Sequence, residues 1–156
     1  MSPCWIDERD VLAVHDRLLA LHGGLPGLRD RGLLESALAR PRQHHSYSEK
    51  VDIIDMAALY TTGIVQNHPF VDGNKRAGFL AGVMFLELNG LDFLASEEDV
   101  IRMVLALAAG DLDVLDLFAQ AFRFALLAPC LHAREPLAYY SFGSHRFLHP
   151  LRSGTE

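Results

Sequence analysis

The sequence has few of the features that mark secreted or membrane proteins. Cysteine occurs only at Cys4 and Cys130 in 156 residues, which is too sparse for a disulfide framework or a cysteine-rich metal site. No run reaches the roughly 18 uninterrupted apolar residues of a membrane-spanning helix. The first residues lack the basic start and apolar stretch of a signal peptide. We therefore expect a reduced, cytoplasmic protein with no membrane contact.

Basic residues are also in short supply. The chain has 14 Lys and Arg against 20 Asp and Glu, a formal net charge of −6. This balance argues against broad binding of nucleic acid or anionic membranes, both of which need extended basic surfaces. A small positive site for an anion remains compatible with it.

The composition is otherwise that of a soluble globular protein, with 50% apolar and 22% charged residues. A chain of this length is long enough to bury a substantial core in one domain. We predict one folded domain over residues 1–126. Residues 127–156 contain scattered prolines, aromatics and histidines without a helical or strand period, and we interpret them as an extension to which no chemistry is assigned.

A nine-residue stretch, His68 to Arg76, concentrates polar chemistry between two apolar segments and reads HPFVDGNKR. The residue before a proline disfavours the helical conformation, so Pro69 is expected to end the preceding helix at His68. Gly73 permits backbone conformations closed to other residues, and a second apolar helix is expected from Asn74. The sequence therefore predicts a short turn between two helices.

The second half of this turn has the composition of an anion site. Gly73, Asn74, Lys75 and Arg76 lie at a predicted helix N-terminus, where backbone N–H groups lack partners and can bind phosphate oxygens. Cations at a helix start oppose the macrodipole, so Lys75 and Arg76 are not explained by local stability. A bound phosphate would make them favourable, and we interpret these four residues as the nucleotide-binding set.

Two further residues complete the predicted site. Asp72 is a candidate magnesium ligand, because Mg²⁺ usually takes one or two carboxylates together with phosphate oxygens. His68 is a candidate general base, since histidine can accept a proton near neutral pH. Each of these residues alone could belong to an ordinary polar turn. Their combination within nine residues favours chemistry over packing.

The same stretch resembles the active-site motif of the Fic/Doc superfamily, whose Fic branch reads HPFx[D/E]GNGRxxR. The chain has Lys75 at the position of the second motif glycine and Phe79 at the position of the final arginine. Both departures match the Doc (death-on-curing) branch, as does the upstream run from Arg29 to Pro41. The resemblance extends over roughly residues 6–122.

The resemblance implies an all-α fold, a compact helical bundle with the active-site loop between two central helices. It also implies a toxin of a type II toxin–antitoxin module that uses ATP and Mg²⁺. The γ-phosphate would be transferred to a hydroxyl of a translation factor of the elongation factor Tu class. His68 would accept the hydroxyl proton, and Lys75 and Arg76 would stabilise charge on the transferring group.

The resemblance further implies an antitoxin that folds into a groove on the bundle, as an amphipathic helix typically does. The inhibitory helix pattern of some Fic proteins, [S/T]xxxE[G/N], was not found. Three other functions remain open at this point. They are AMP transfer of the Fic kind, a catalytically inactive phosphate-binding module, and a metal-dependent nucleotide hydrolase using His68 and Asp72.

Apolar spacing and capping residues predict helices over most of the chain. We expect the first to start after Asp7 and stop at Gly23 and Gly24. The expected bounds of the others are about 31–40, ended by Pro41, then 52–67, 76–88, 96–110 and 111–122. Gly63 is predicted to permit a close helix contact.

Two loops are expected beside the turn. Arg29 and Asp30 precede the second helix and are predicted to anchor the loop that contains them. The resemblance implies that the polar segment 42–50 is a flap or loop that borders the active site and receives the target segment. Its adjacent His44 and His45 are not expected to bind a metal, since neighbouring side chains point apart.

Overall fold

A computed structural model describes residues 2–48 and 52–93 together with the single residues 96, 98, 102 and 119. Four helices occupy these ranges: α1 (Glu8–His22), α2 (Arg31–Tyr47), α3 (Ile53–Asn67) and α4 (Asn74–Leu88). Within the described ranges no β-strand forms, and a single isolated bridge joins Leu28 and Phe70. The predicted all-α class is confirmed. The helices predicted between 96 and 122 and the extension 127–156 lie outside what is described continuously.

Helix α1 begins and ends where its local sequence predicts. The Asp7 carboxylate accepts the N–H groups of Arg9 at 2.8 Å and Asp10 at 3.2 Å. The Asp10 carboxylate accepts the Asp7 N–H at 2.8 Å, which completes a capping box. At the other end Gly23 has φ +70° and donates its N–H to Leu19 O at 2.8 Å.

Helix α2 is longer than predicted, because Pro41 lies inside it rather than ending it. A proline at this position removes the hydrogen bond to the Ala37 carbonyl and normally disfavours a helix. Here Pro41 is buried, and the Ala37 carbonyl lies against α3 at Gly63, where an added Cβ would approach it to 3.2 Å. Tertiary packing overrides the local signal. The prediction of a loop or flap over 42–50 is therefore wrong for residues 42–47, which are helical.

Helices α3 and α4 form the centre of the described fold. Each buries nine residues, whereas α1 and α2 bury three and four. The two central helices meet closely at Gly78, where a Cβ would lie 2.8 Å from both the Thr61 carbonyl oxygen and a Val65 methyl. The close helix contact predicted at Gly63 is confirmed by its approach to Ala37. The turn between α3 and α4 is thus attached to the most deeply packed pair of elements.

The N-terminal segment is held at the far end of the bundle, opposite the turn. The Asn89 side chain, at the C-cap of α4, accepts the Cys4 N–H at 2.8 Å and donates to the Cys4 carbonyl at 3.0 Å. This pair of bonds fastens the N-terminal segment to α4.

None of the described helices has the length and apolar character required to cross a membrane.

Candidate active site

The turn between α3 and α4 begins at His68, the C-cap of α3. His68 adopts the left-handed conformation with φ 49° and ψ 53°, and its N–H donates to Ile64 O at 3.1 Å. Among the described non-glycine residues it alone has a positive φ. Such a conformation costs about 1 kcal/mol or more and tends to occur at functional sites. The His68 side chain is exposed and accessible to a second molecule.

The centre of the turn is held by the Asn74 side chain. Its Oδ1 accepts the Phe70 N–H at 2.9 Å, and its Nδ2 donates to the Phe70 carbonyl at 2.9 Å. Both residues are buried, Asn74 to 7% exposure and Phe70 to 1%. The amide group of Asn74 is therefore committed to the loop. The phosphate contact predicted for Asn74 involves its backbone N–H, which these side-chain bonds do not use.

The connection between α1 and α2 binds the turn through main-chain hydrogen bonds. The N–H groups of Arg29 and Asp30 both donate to Pro69 O, at 2.7 and 3.1 Å. The Val71 N–H donates to Gly27 O at 3.0 Å. These bonds make the connection an extended partner of the turn, and they surround the Leu28–Phe70 bridge.

Arg29 and Asp30 also contribute their side chains. The Arg29 guanidinium donates to Asn67 O at 3.3 Å, and the Asp30 carboxylate accepts the Leu33 N–H at 3.1 Å as the N-cap of α2. The predicted anchoring role of the two residues is confirmed by these contacts. Arg29 holds the last residue of α3 before His68.

Asp72 is an ionised carboxylate surrounded by hydrogen-bond donors. Its Oδ1 accepts the Gly73 N–H at 2.6 Å and its Oδ2 accepts the Leu25 N–H at 3.2 Å. These bonds, led by the one from Gly73, lower the pKa of Asp72 below its usual range, and the nearby Arg76 contributes in the same direction. Each carboxylate oxygen keeps a further lone pair that a cation could use.

The N-terminus of α4 has the features of an anion site. Gly73 is its N-cap with φ +79°, as the predicted glycine turn requires, and no side chain caps the helix. The first turn contains no acidic residue. Lys75 is exposed, and the half-buried Arg76 donates to Gly23 O at 3.3 and 3.4 Å. Since the Gly73 N–H is already engaged by Asp72, the free donors are those of the following residues.

His15 belongs to the site although the sequence analysis did not identify it. It lies on α1, is 2% exposed, and its Nε2 is 2.8 Å from the Asp72 carbonyl oxygen. Its ring stacks on Phe70 with centroids 3.9 Å apart and planes 8° from parallel. A signal was present: residue 15 falls on the same helical face as Val11 and Leu18, an apolar stripe where histidine is unusual.

The described residues outside the turn supply no ready metal centre. In residues 2–48 and 52–93, no three His, Cys, Asp or Glu side chains cluster as a preformed cation site. His45 instead packs edge-on against Trp5, with ring centroids 5.4 Å apart. A divalent cation at this site would rely on Asp72, phosphate oxygens and water.

Comparison with known proteins assigns the class. The family described as Fic/DOC matches residues 5–86, which include α1, α2, α3, the complete turn and most of α4. The chain belongs to the Fic/DOC family.

Two relatives cover most of the chain. "Protein kinase doc" of Escherichia phage P1 is 30% identical over 109 residues, covering 70% of this chain and 86% of that protein. "Toxin Doc" of Mycolicibacterium smegmatis is 34% identical over 128 residues, covering 80% of this chain and 95% of that protein. Both carry the Doc name, in agreement with the branch indicated by the motif.

Proposed function

We propose that this chain is the toxin of a toxin–antitoxin pair and transfers the γ-phosphate of ATP to a hydroxyl group of a protein. The observation that carries the proposal is the uncapped N-terminus of α4 with Lys75 and Arg76, next to the accessible His68 and the ionised Asp72. The names of the two relatives, a protein kinase and a toxin, support both parts of it.

The residue at position 79 favours phosphate transfer over AMP transfer. The Fic branch carries an arginine here, and in this chain Phe79 is 4% exposed and packs edge-on against Phe93, with ring centroids 5.7 Å apart. A buried aromatic ring cannot bind a phosphate oxygen. At the start of α4 itself, the cations are Lys75 and Arg76. This placement of the positive charges agrees with the nucleotide orientation of the Doc branch, in which the γ-phosphate of ATP faces His68.

The reaction asks mainly for positioning and charge stabilisation. His68 accepts the proton of the target hydroxyl while the hydroxyl oxygen forms a bond to the γ-phosphorus. The bond from that phosphorus to the β–γ bridging oxygen breaks, and ADP leaves. The N–H groups of the first turn of α4, with Lys75 and Arg76, hold the phosphate oxygens and stabilise their charge.

Asp72 fits the role of magnesium ligand because it is ionised, partly exposed and retains free lone pairs. Mg²⁺ would neutralise part of the phosphate charge when bound. Asp72→Asn should therefore reduce ATP affinity in the presence of magnesium and leave the weaker magnesium-free affinity unchanged. Titration calorimetry measures both, and equal magnesium dependence in the variant and the original protein would contradict this role.

The proposed partners follow from the same reading. The target is a translation factor of the elongation factor Tu class, so growth stops through translation arrest. The antitoxin is a protein that folds a segment into a groove of the bundle on binding. Both interactions are expected in the cytoplasm.

Incubation with purified elongation factor Tu and ATP labelled at either the α- or the γ-phosphorus tests the reaction. We expect label on the target from the γ-position only, and none with His68→Ala. Label from the α-position alone would establish AMP transfer instead. Release of free phosphate without target labelling would indicate a nucleotide hydrolase. Growth arrest that persists in His68→Ala, without any labelling, would indicate a binding module.

A further inference from the structure

We propose that His15 is a positioning residue of the active site. It holds the peptide between Asp72 and Gly73 and so sets the direction in which the first turn of α4 presents its N–H groups. The catalytic part of this inference rests on the proposed phosphate transfer. The structural part concerns the turn alone and can be tested without any substrate.

The hydrogen bond defines what His15 does. A carbonyl oxygen can only accept, so His15 Nε2 carries the hydrogen and donates it to Asp72 O over 2.8 Å. That carbonyl belongs to the peptide whose N–H is the Gly73 donor to the Asp72 carboxylate. Rotation of this peptide would move the Gly73 N–H, which is the partner of the Asp72 carboxylate, together with the N-cap of α4. One donated bond from α1 therefore constrains both halves of the anion site.

The imidazole is itself immobilised. It is buried to 2% exposure and stacked on Phe70, which is 1% exposed, with ring centroids 3.9 Å apart. An added Cβ on Gly73 would lie 3.4 Å from His15 Nε2, so a side chain at position 73 would come into van der Waals contact with the ring. The stack on Phe70 and the hydrogen bond to Asp72 O leave the donor little freedom to change direction.

Packing alone does not account for a histidine at this position. Burying a polar ring costs free energy unless its nitrogen atoms are hydrogen-bonded. An apolar ring could fill a similar volume and also stack on Phe70. The feature that only the histidine supplies is the N–H donor to the Asp72 carbonyl. Since α1 buries only Val11, His15 and Leu18, this bond is its polar link to the turn.

Two substitutions separate the donor from the packing. His15→Phe keeps an aromatic ring and the stack but removes the donor. His15→Gln loses the ring but offers an amide N–H at similar reach. We expect His15→Phe to lower kcat for target phosphorylation by about tenfold to a hundredfold, the size of effect that a misplacement of about 1 Å produces. The KM for the target protein should stay unchanged, and His15→Gln should recover most of kcat.

Hydrogen exchange of the turn tests the structural half in the free protein. The Phe70 and Gly73 N–H groups are both bonded within the turn. We expect their amide exchange to accelerate at least severalfold in His15→Phe and to return towards the original rate in His15→Gln. His45→Phe is the matched control, because that histidine contacts Trp5 rather than the turn, and it should change neither exchange nor kcat.

The two readouts separate failure of this inference from failure of the proposed function. If the original protein phosphorylates its target and His15→Phe does so equally fast, His15 is a packing residue and the inference is overturned. The same conclusion follows if exchange in His15→Phe is unchanged, or if His15→Gln is as impaired as His15→Phe. If no target is phosphorylated by any variant, the proposed function fails while the exchange result still decides whether His15 holds the turn.

Discussion

The nine-residue turn contains two kinds of residue, and their surroundings differ sharply. His68 and Lys75 are exposed, whereas Phe70 and Asn74 are buried and bonded to each other. The exposed pair is open to solvent, and the buried pair fixes the backbone to which both exposed residues belong. Residues proposed for chemistry and residues that support the turn therefore alternate within one short motif.

The exposed side of the turn is also the less stable side. His68 has a left-handed backbone conformation, and α4 begins with two cations and no side-chain cap. Both features cost free energy in the protein without ligand. The buried side offsets this cost by binding the turn to α1, α2 and the central helices. The contrast predicts that substitutions on the two sides will have separable effects.

The largest expected effect is on activity at His68. His68→Ala removes the proposed general base and should reduce phosphorylation about 10²- to 10⁴-fold. The melting temperature should remain within a degree or two, because the side chain is exposed. Kinetic assays and thermal unfolding on the same preparation measure both. A large loss of melting temperature would show that His68 supports the fold and would weaken the comparison.

The next largest effect is on stability at Asn74. Asn74→Ala leaves the N–H and carbonyl of Phe70 without their partners, and each buried unpaired group costs about 1–3 kcal/mol. We expect the free energy of unfolding to fall by about 2–4 kcal/mol, measured by urea denaturation. Asn74→Asp keeps an acceptor for the Phe70 N–H and is a useful control. A stability equal to the original protein in Asn74→Ala would contradict the supporting role.

Two neighbouring glycines test how closely the α1–α2 connection fits the turn. A Cβ at Gly24 would lie 2.6 Å from the Asp72 carboxylate and 2.8 Å from a Leu19 methyl, while a Cβ at Gly23 would meet nothing within 4 Å. Both residues have positive φ, so alanine strains the backbone at either position. Gly24→Ala should cost about 1–3 kcal/mol more than Gly23→Ala, because only it forces an overlap.

Thermal or urea unfolding of the two glycine variants gives this difference directly. Gly24→Ala should also weaken magnesium-dependent ATP binding, since the Asp72 carboxylate must move to relieve the overlap. Equal stability and equal nucleotide binding in the two variants would mean that the connection adapts freely around Asp72.

The smallest effect concerns the opposite end of α4. Burial raises the pKa of Glu87 to about 7, and the neighbouring Asp92 adds to the shift. The folded state therefore favours protonated Glu87. This stabilisation is complete below the usual value of 4.5 and is lost as the pH rises through about 7. The lost contribution is about 1 kcal/mol after allowance for solvent screening of a partly exposed carboxylate.

Glu87→Gln should remove this dependence without affecting the turn. Its stability relative to the original protein should increase between pH 5 and pH 8 and stay level at lower pH. A difference between the Glu87 variant and the original protein that is constant with pH would contradict the assignment.

Features decided by neighbouring residues in the chain could be predicted from the sequence. The helix start after Asp7, the stop at Gly23 and the glycine turn at Gly73 depend on short-range geometry, and all three are present. The identity of the turn as the candidate site rests on residues within one nine-residue stretch. This part of the prediction therefore depends only on residues that are close together in the chain.

Features decided by distant residues were missed or misjudged. Pro41 would end an isolated helix, but packing of α2 on α3 keeps the helix intact. His15 reaches the site because α1 packs beside Asp72, which lies 57 positions later in the chain. No short-range pattern contains this information.

The main-chain pairing between the α1–α2 connection and the turn has a consequence for divergence within the family. Backbone atoms of residues 27–30 hold the backbone of the turn in place. The outward-facing side chains nearby therefore contribute little to the conformation of the turn. Leu25 and Val71 are 66% and 51% exposed beside the proposed catalytic residues. We expect relatives to differ at such side chains, to suit different protein surfaces, while the backbone geometry of the turn stays constant.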